Sequence, residues 1–160
     1  MKLRILQINN FHFRKGGADV VYLNTCSLLR QKKHDVFCFS TINNKNVKIG
    51  ENEFFIEKKN LFNSTIMQKI FQYPGFVFSN KSRKKLDLLL KKVKPDIAHI
   101  HNYKGYLSNS IFSVLKSNNI PVVFTAHDFG LVDPHNLLLN GRGDISESTI
   151  NKSSFFSVLE

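Results

Sequence analysis

Two cysteines in 160 residues are too few for a disulfide framework or a zinc ligand set. Cys26 lies in a helical pattern and Cys38 in a strand pattern, as small buried apolar residues do. Long apolar runs are also missing. Met1-Lys2-Leu3-Arg4 leads into a short apolar stretch broken by Gln7 and Asn9, which is neither a signal peptide nor a spanning helix. A cytoplasmic location is the default expectation. Neither Gly-x-Gly-x-x-Gly nor Gly-Lys-Ser/Thr occurs, which argues against dinucleotide-dependent redox chemistry and Walker-type phosphoryl transfer. Acidic residues are scarce, 12 against 23 Lys and Arg, giving a formal charge of +11. The excess is concentrated in Lys81, Arg83, Lys84, Lys85, Lys91, Lys92 and Lys94, opposed in that stretch by Asp87 alone. The plain reading is a solvated helix face, and the functional one is attraction to anionic lipid or nucleic acid. No zinc-finger spacing and no RNP-like aromatic strand supports nucleic acid, which is not an expected partner.

What the chain does contain is an alternation of strands and helices, and its length and 42% hydrophobic content suit one buried core. Leu3 to Ile8 reads as a strand. Ala18 to Gln31 reads as a helix with Ala18, Val21, Leu28 and Leu29 as its apolar residues, and Val36-Phe37-Cys38-Phe39 as a doubly covered parallel strand. Thr41 to Asn52 is polar and loop-like, with a short strand expected at Glu53 to Ile56. Leu61 to Phe78 has helical spacing up to Tyr73-Pro74-Gly75. The basic helix follows, its stripe of Leu86, Leu89, Leu90 and Val93 closed by Pro95. Strands at Ile97 to Ile100 and Val122 to Thr125, both expected to be buried, flank a helix near Leu107 to Lys116. The pattern predicts an α/β fold with a doubly wound, mostly parallel, Rossmann-like sheet over residues 1–139. Residues 140–160 form a tail in which no further βαβ unit is written.

Open α/β sheets place their sites at the carboxyl ends of the strands. There stand Asn9 and Asn10, His101 and Asn102, and His127 and Asp128. Gly16 and Gly17 lie between the first strand and a helix N-terminus, where unpaired N–H groups and the helix dipole favour phosphate; a side chain would block close approach. His99 and His101 are two apart and share one face of a strand, so a metal site with His127 and Asp128 can be drawn. The bland reading, histidines hydrogen-bonded in the core, outweighs it. No hydrolase-type carboxylate pair is evident, so a glycosidase is not suggested.

Four segments in this order, Ile5-Leu6-Gln7-Ile8-Asn9-Asn10-Phe11-His12, Gly16-Gly17-Ala18-Asp19, Lys94 to Asn102 and Pro121 to Phe129, resemble the N-terminal, acceptor-side domain of retaining GT-B glycosyltransferases of family 4. The likeness covers roughly Met1 to Leu139. It implies one half of a GT-B architecture, with the C-terminal donor-binding domain absent from this chain and needed from a further domain or partner chain. It also implies sugar transfer from a nucleotide-sugar co-substrate to a glycan or lipid-linked acceptor, with no metal and no other cofactor. Gly16 and Gly17 would approach the donor diphosphate. His127 would act at the donor sugar as the catalytic residue, and Asn10, His101, Asn102 and Asp128 would line the acceptor crevice. Because many such enzymes work at membranes, the resemblance makes an anionic membrane surface a candidate partner of Lys81, Arg83, Lys84, Lys85, Lys91 and Lys92. It thereby adds peripheral attachment at the inner face. Two other readings stand beside it: a non-catalytic binding or scaffold subunit with the same fold, and a small metal-dependent hydrolase using His99, His101 and His127.

Overall fold

A computed structural model describes residues 1–57 and 79–128. Met1–Thr125 form one compact unit, and Ala126–Glu160 form a second, of which only the first three residues are described. The expected helix at Leu61 to Phe78 and the tail at 140–160 lie outside the described residues.

The larger unit is built on four parallel strands. β1 (Arg4–Ile8) leads through α1 (Gly17–Gln31) to β2 (Asp35–Phe39). A 3-10 helix (Gly50–Phe54) and α2 (Asn80–Val93) precede β3 (Ile97–Ile100), and α3 (Ser110–Ser117) precedes β4 (Val122–Phe124). The order β2-β1-β3-β4 places the first strand inside the sheet and reverses the winding between β2 and β3. This is the doubly wound, Rossmann-like α/β arrangement.

The two faces of the sheet are chemically unlike. Leu6 and Ile8 of β1, Ala98 and Ile100 of β3 and Phe39 of β2 pack against Leu86, Leu89, Leu90 and Val93 of α2 and Ile111, Val114 and Leu115 of α3. That face is apolar throughout. The other face meets α1 through a smaller cluster of Tyr22, Cys26, Val36, Cys38 and Phe55. Register aligns Cys38, Gln7, His99 and Val123 across four strands there, and alternation of side chains keeps that row on the α1 side.

Several expectations need correction. The buried stripe of α1 is Asp19, Tyr22 and Cys26, whereas Val21 and Leu28 are exposed. The helix is turned toward the polar row of the sheet, so hydrophobicity alone misplaced Val21 and Leu28, whereas Leu29 does pack against the Tyr22 cluster. β4 is not buried: Val122 and Val123 are 41% and 47% exposed, because β4 is an edge strand among the described residues. Glu53 lies in the 3-10 helix, and only Ile56 makes a strand-like bridge, to Thr41. The helix drawn from Leu107 starts at Ser110, leaving Leu107 buried in the preceding turn. Pro95 does end α2, with Lys94 in the left-handed conformation (φ 40°) and its N–H donating to the Leu90 carbonyl.

Adjacent leucines of α2 separate burial from composition. Leu89 is fully buried and Leu88 is 55% exposed. Leu89→Ala is expected to cost about 2–5 kcal/mol of unfolding free energy. Leu88→Ala is expected to stay within about 0.5 kcal/mol of the unsubstituted chain, both measured by urea denaturation.

Candidate functional site

Three chain ends are tied together at the carboxyl edge of the sheet by two buried side chains. Asn9 leaves β1 with its amide donating to Asp19 Oδ1 (2.8 Å) and to the Phe11 carbonyl (2.9 Å). Its own carbonyl oxygen accepts from the Asn102 N–H just beyond β3 (3.0 Å). The second Asp19 oxygen accepts from the Gly16 N–H (3.1 Å), half of a capping box at the start of α1. Asp19 is 5% exposed and Asn9 fully buried. The carboxylate therefore sits at the positive end of a helix with two N–H donors, the setting in which a buried charge is tolerated.

The glycine turn is shaped by this clamp. Gly16 is extended (φ −153°), a conformation open to any residue. A Cβ added at Gly16 would meet Asp19 Oδ2 at 3.7 Å, an ordinary contact, and one at Gly17 would meet nothing within 4 Å. Neither glycine is demanded by backbone strain or internal crowding. What they do is leave open the space over the first turn of α1, whose N–H groups lack intrahelical acceptors. Open donors at a helix N-terminus are an anion cradle.

Behind the cradle runs the polar row. Gln7 Nε2 bonds His99 Nδ1 (3.3 Å), and Gln7 Oε1 bonds His101 Nε2 (3.2 Å). With the amide oriented this way, His99 Nδ1 accepts, its Nε2–H donates to Thr125 Oγ1 (2.7 Å), and His101 donates from Nε2. The two imidazoles lie 4.2 Å apart, and the ring of Tyr22 packs on His101 at 5.5 Å. The Tyr22 hydroxyl bonds His12 Nδ1 (2.7 Å), while His12 Nε2 is buried with no hydrogen-bond partner among the described residues. Burial, and then the Arg30 cation, lower the His12 pKa to about 4, so this ring is neutral at physiological pH. Burial raises the Tyr22 hydroxyl well above its usual value and keeps it protonated. Cys26 and Cys38 are buried beside it, and Arg30 Nη2 reaches Cys38 Sγ at 3.7 Å.

Gly16, Asn10, His101 and Asn102 therefore meet at one edge, as their positions at strand ends predicted. Asn10 is 6% exposed and donates to the Lys104 carbonyl (2.9 Å), with Oδ1 unpartnered; His101 is 1% exposed. His127 and Asp128 belong to the second unit, where they form a bend two residues after Thr125. The metal-hydrolase reading required His99, His101 and His127 to gather. Among the described residues no group of three His, Cys, Asp or Glu side chains is placed to hold a metal, and His99 and His101 are bonded to Gln7 and Thr125. Gln7, His12, Asp19 and Tyr22 are not among the site residues that the sequence pointed to, and Asn9 entered only by its place at the end of β1. The cue for Asp19 was its place three residues after Gly16, the capping-box spacing.

Residues 15–153 match the family described as Glycosyltransferase Family 4. A curated relative, described as an uncharacterized 42.6 kDa protein in the cps region of Klebsiella pneumoniae, is 22% identical over 160 residues. That alignment covers 92% of this chain and 43% of the relative, so the chain spans less than half the relative's length. No described helix is long and apolar enough to cross a membrane.

Two measurements probe the site's construction. Because a Cβ at Gly17 would meet no described atom within 4 Å, Gly17→Ala should raise stability by up to about 1 kcal/mol in chemical denaturation. A loss of stability would mean that the turn needs glycine for folding. The His12 pKa of about 4, against 6.5 in an unfolded chain, means that the unfolded state binds the proton more readily between those values. Stability from this group is full above pH 6.5 and falls as pH drops toward 4, by on the order of 3 kcal/mol in all. His12→Gln, which keeps a polar partner for Tyr22, should flatten the unfolding free energy across that window. An unchanged pH profile would show that His12 titrates alike in the folded and unfolded chain.

Proposed function

The chain belongs to glycosyltransferase family 4, and from that premise we propose that it supplies the acceptor-side half of a retaining glycosyltransferase. A second Rossmann-like domain, on further chain or on a partner, would hold the nucleotide. The single observation that carries this reading is the open cradle over Gly16 and Gly17, held in shape by Asp19 and Asn9 beside the ends of β1 and β3. As the sugar leaves its nucleotide, negative charge grows on the diphosphate, and fixed N–H dipoles stabilise that charge without reorganising. Gly16 and Gly17 are assigned to the diphosphate. Asn102 is assigned to the acceptor crevice, with Asn10 and His101, nearly fully buried, supporting it from behind; Asp128 is assigned to the acceptor on the resemblance alone.

His127 is assigned to the donor sugar, where an imidazole N–H would donate to a hydroxyl or to the developing charge. The nucleotide-sugar is the co-substrate, and the assignment uses neither metal nor organic cofactor. The curated relative's place in a cps region favours a polysaccharide or lipid-linked glycan as acceptor. Such an acceptor would bring the chain to the inner face of the membrane as a peripheral protein.

The test is sugar transfer from a panel of nucleotide-sugars to membrane extracts, by the chain alone and mixed with the polypeptide encoded immediately downstream. Transfer is expected in the mixture and not from the chain alone. In the active mixture His127→Ala should lower transfer at least about tenfold. Gly17→Ala should lower it on the order of 100-fold, by holding the diphosphate off its donors, while leaving the fold intact. A folded chain that supports no transfer in either setting would give way to the scaffold reading, in which the fold only docks a partner or an acceptor.

A further inference from the structure

The charge on α2 is divided in a way that the sequence does not reveal. Lys81 is paired with Glu57 (2.5 Å), Lys91 with Asp87 (2.7 Å) and Lys92 with Glu53 (2.8 Å). Lys85 donates to the Glu53 carbonyl. Arg83 and Lys84, in the middle of this array, have no carboxylate partner among the described residues, and both are exposed. They line a groove of about 390 Å³ between α2 and α3, together with Asn80, Asp87, Val114 and Ser117. A volume of that order is at the lower end for sites that hold small molecules.

Each part of the groove has a definite chemistry. Asn80, Arg83, Lys84 and Asp87 are spaced three and four apart, so they form one stripe of α2, and Val114 and Ser117 face them from α3. The stripe starts in the first turn of α2, which contains no acidic residue and whose first N–H groups lack helical acceptors. Asp87 is the one acid in the groove. It accepts from Lys91 and, at 3.5 Å, from Asn118, and the Lys91 hydrogen bond holds its carboxyl below the usual range. Its charge is thus already matched on the side away from Arg83 and Lys84. A planar guanidinium, an ammonium and an amide offer donors to a tetrahedral oxyanion, while the Ser117 hydroxyl donates to the Val114 carbonyl (3.0 Å). The apolar Val114 provides a surface for whatever that oxyanion is esterified to.

We propose that the groove between α2 and α3 is a phosphate-binding site, with Arg83 and Lys84 as its cations and Asn80 as a neutral donor, selective for a phosphoester head group. The site stands apart from the glycine cradle and does not depend on the sugar-transfer reading. Phosphate on a soluble ester and phosphate on a lipid head group share this chemistry, and the test separates them.

Two probes are added to the full chain: inorganic phosphate, followed by backbone amide shifts, and vesicles of phosphatidylcholine with and without phosphatidylglycerol, followed by co-sedimentation. Phosphate should shift the amides of Asn80, Arg83, Lys84 and Ser117 together, in one saturable titration. Vesicle binding without that titration would assign the site to lipid phosphate, and the titration without vesicle binding would assign it to a soluble ester. The variant pair Arg83→Gln/Lys84→Gln should weaken whichever binding is seen by about thirtyfold. Lys81→Gln/Lys92→Gln, which removes the same charge from paired positions, should weaken it by no more than about threefold. Equal losses in the two double variants would overturn the site in favour of diffuse charge attraction. So would shifts spread over Lys91, Lys92 and Lys104, or no binding to either probe. Both substituted pairs are exposed, and matched thermal melts confirm that the comparison is between folded proteins.

Discussion

The carboxylate of Asp19 is the constraint on which the site end of this domain depends. A parallel sheet brings strand ends to one edge, but it does not fix the loops that leave them. Here one buried charge accepts from the Gly16 N–H and from the Asn9 amide, and Asn9 in turn accepts from the Asn102 N–H. Four segments, the exits of β1 and β3, the turn before α1 and the first turn of α1, therefore share a single hydrogen-bonded unit. Neutralising or removing the carboxylate would leave buried donors unpaired at several places at once, a larger penalty than one surface bond. The open space over Gly17 is thus a consequence of a rigid surround rather than of a flexible loop.

The division between the two faces of the sheet follows the same logic. The α2 and α3 side buries leucine, isoleucine, valine and alanine, and supplies most of the cohesion of the fold. The α1 side gives up apolar area to Gln7, His99, His101, His12 and Tyr22, each tied to another. Buried polar groups cost stability unless they are satisfied, so a row of them against a helix marks a face kept for something other than cohesion. His12 is kept neutral in this row by burial and by Arg30, with one ring nitrogen unpartnered among the described residues.

Much of this was legible in the sequence. The four strands, the glycine turn, the end of α2 at Pro95 and the gathering of Asn10, Gly16, His101 and Asn102 at one edge were read from apolar runs and from the polar residues that end them. The buried face of α1 was not. Val21 and Leu28 look like core residues by hydropathy, whereas Asp19 and Tyr22 are buried because the opposing row of the sheet is itself polar, and a partner's chemistry is invisible to periodicity. Exposure of β4 was missed for a related reason. Val122 and Val123 have the composition of a central strand, but an edge position is a property of the sheet order rather than of the segment. The clamp itself was missed because its donor and acceptor, Asn9 and Asp19, are ten residues apart and belong to different elements.

Charge shows the same difference between composition and arrangement. Seven basic residues against Asp87 alone suggest a uniformly cationic helix, yet Glu53 and Glu57, distant in sequence, come to meet Lys81, Lys85 and Lys92. Exposed pairs of this kind add little to stability. Their effect is on the field: carboxylates match Lys81, Lys91 and Lys92, and among the described residues the excess is left at Arg83, Lys84, Lys85 and Lys94, of which Arg83 and Lys84 line the groove. An anion entering the groove between α2 and α3 therefore meets two cations that no described carboxylate matches. A localised pair discriminates by geometry, whereas a smeared patch discriminates only by charge, and that difference decides whether this helix can select its ligand.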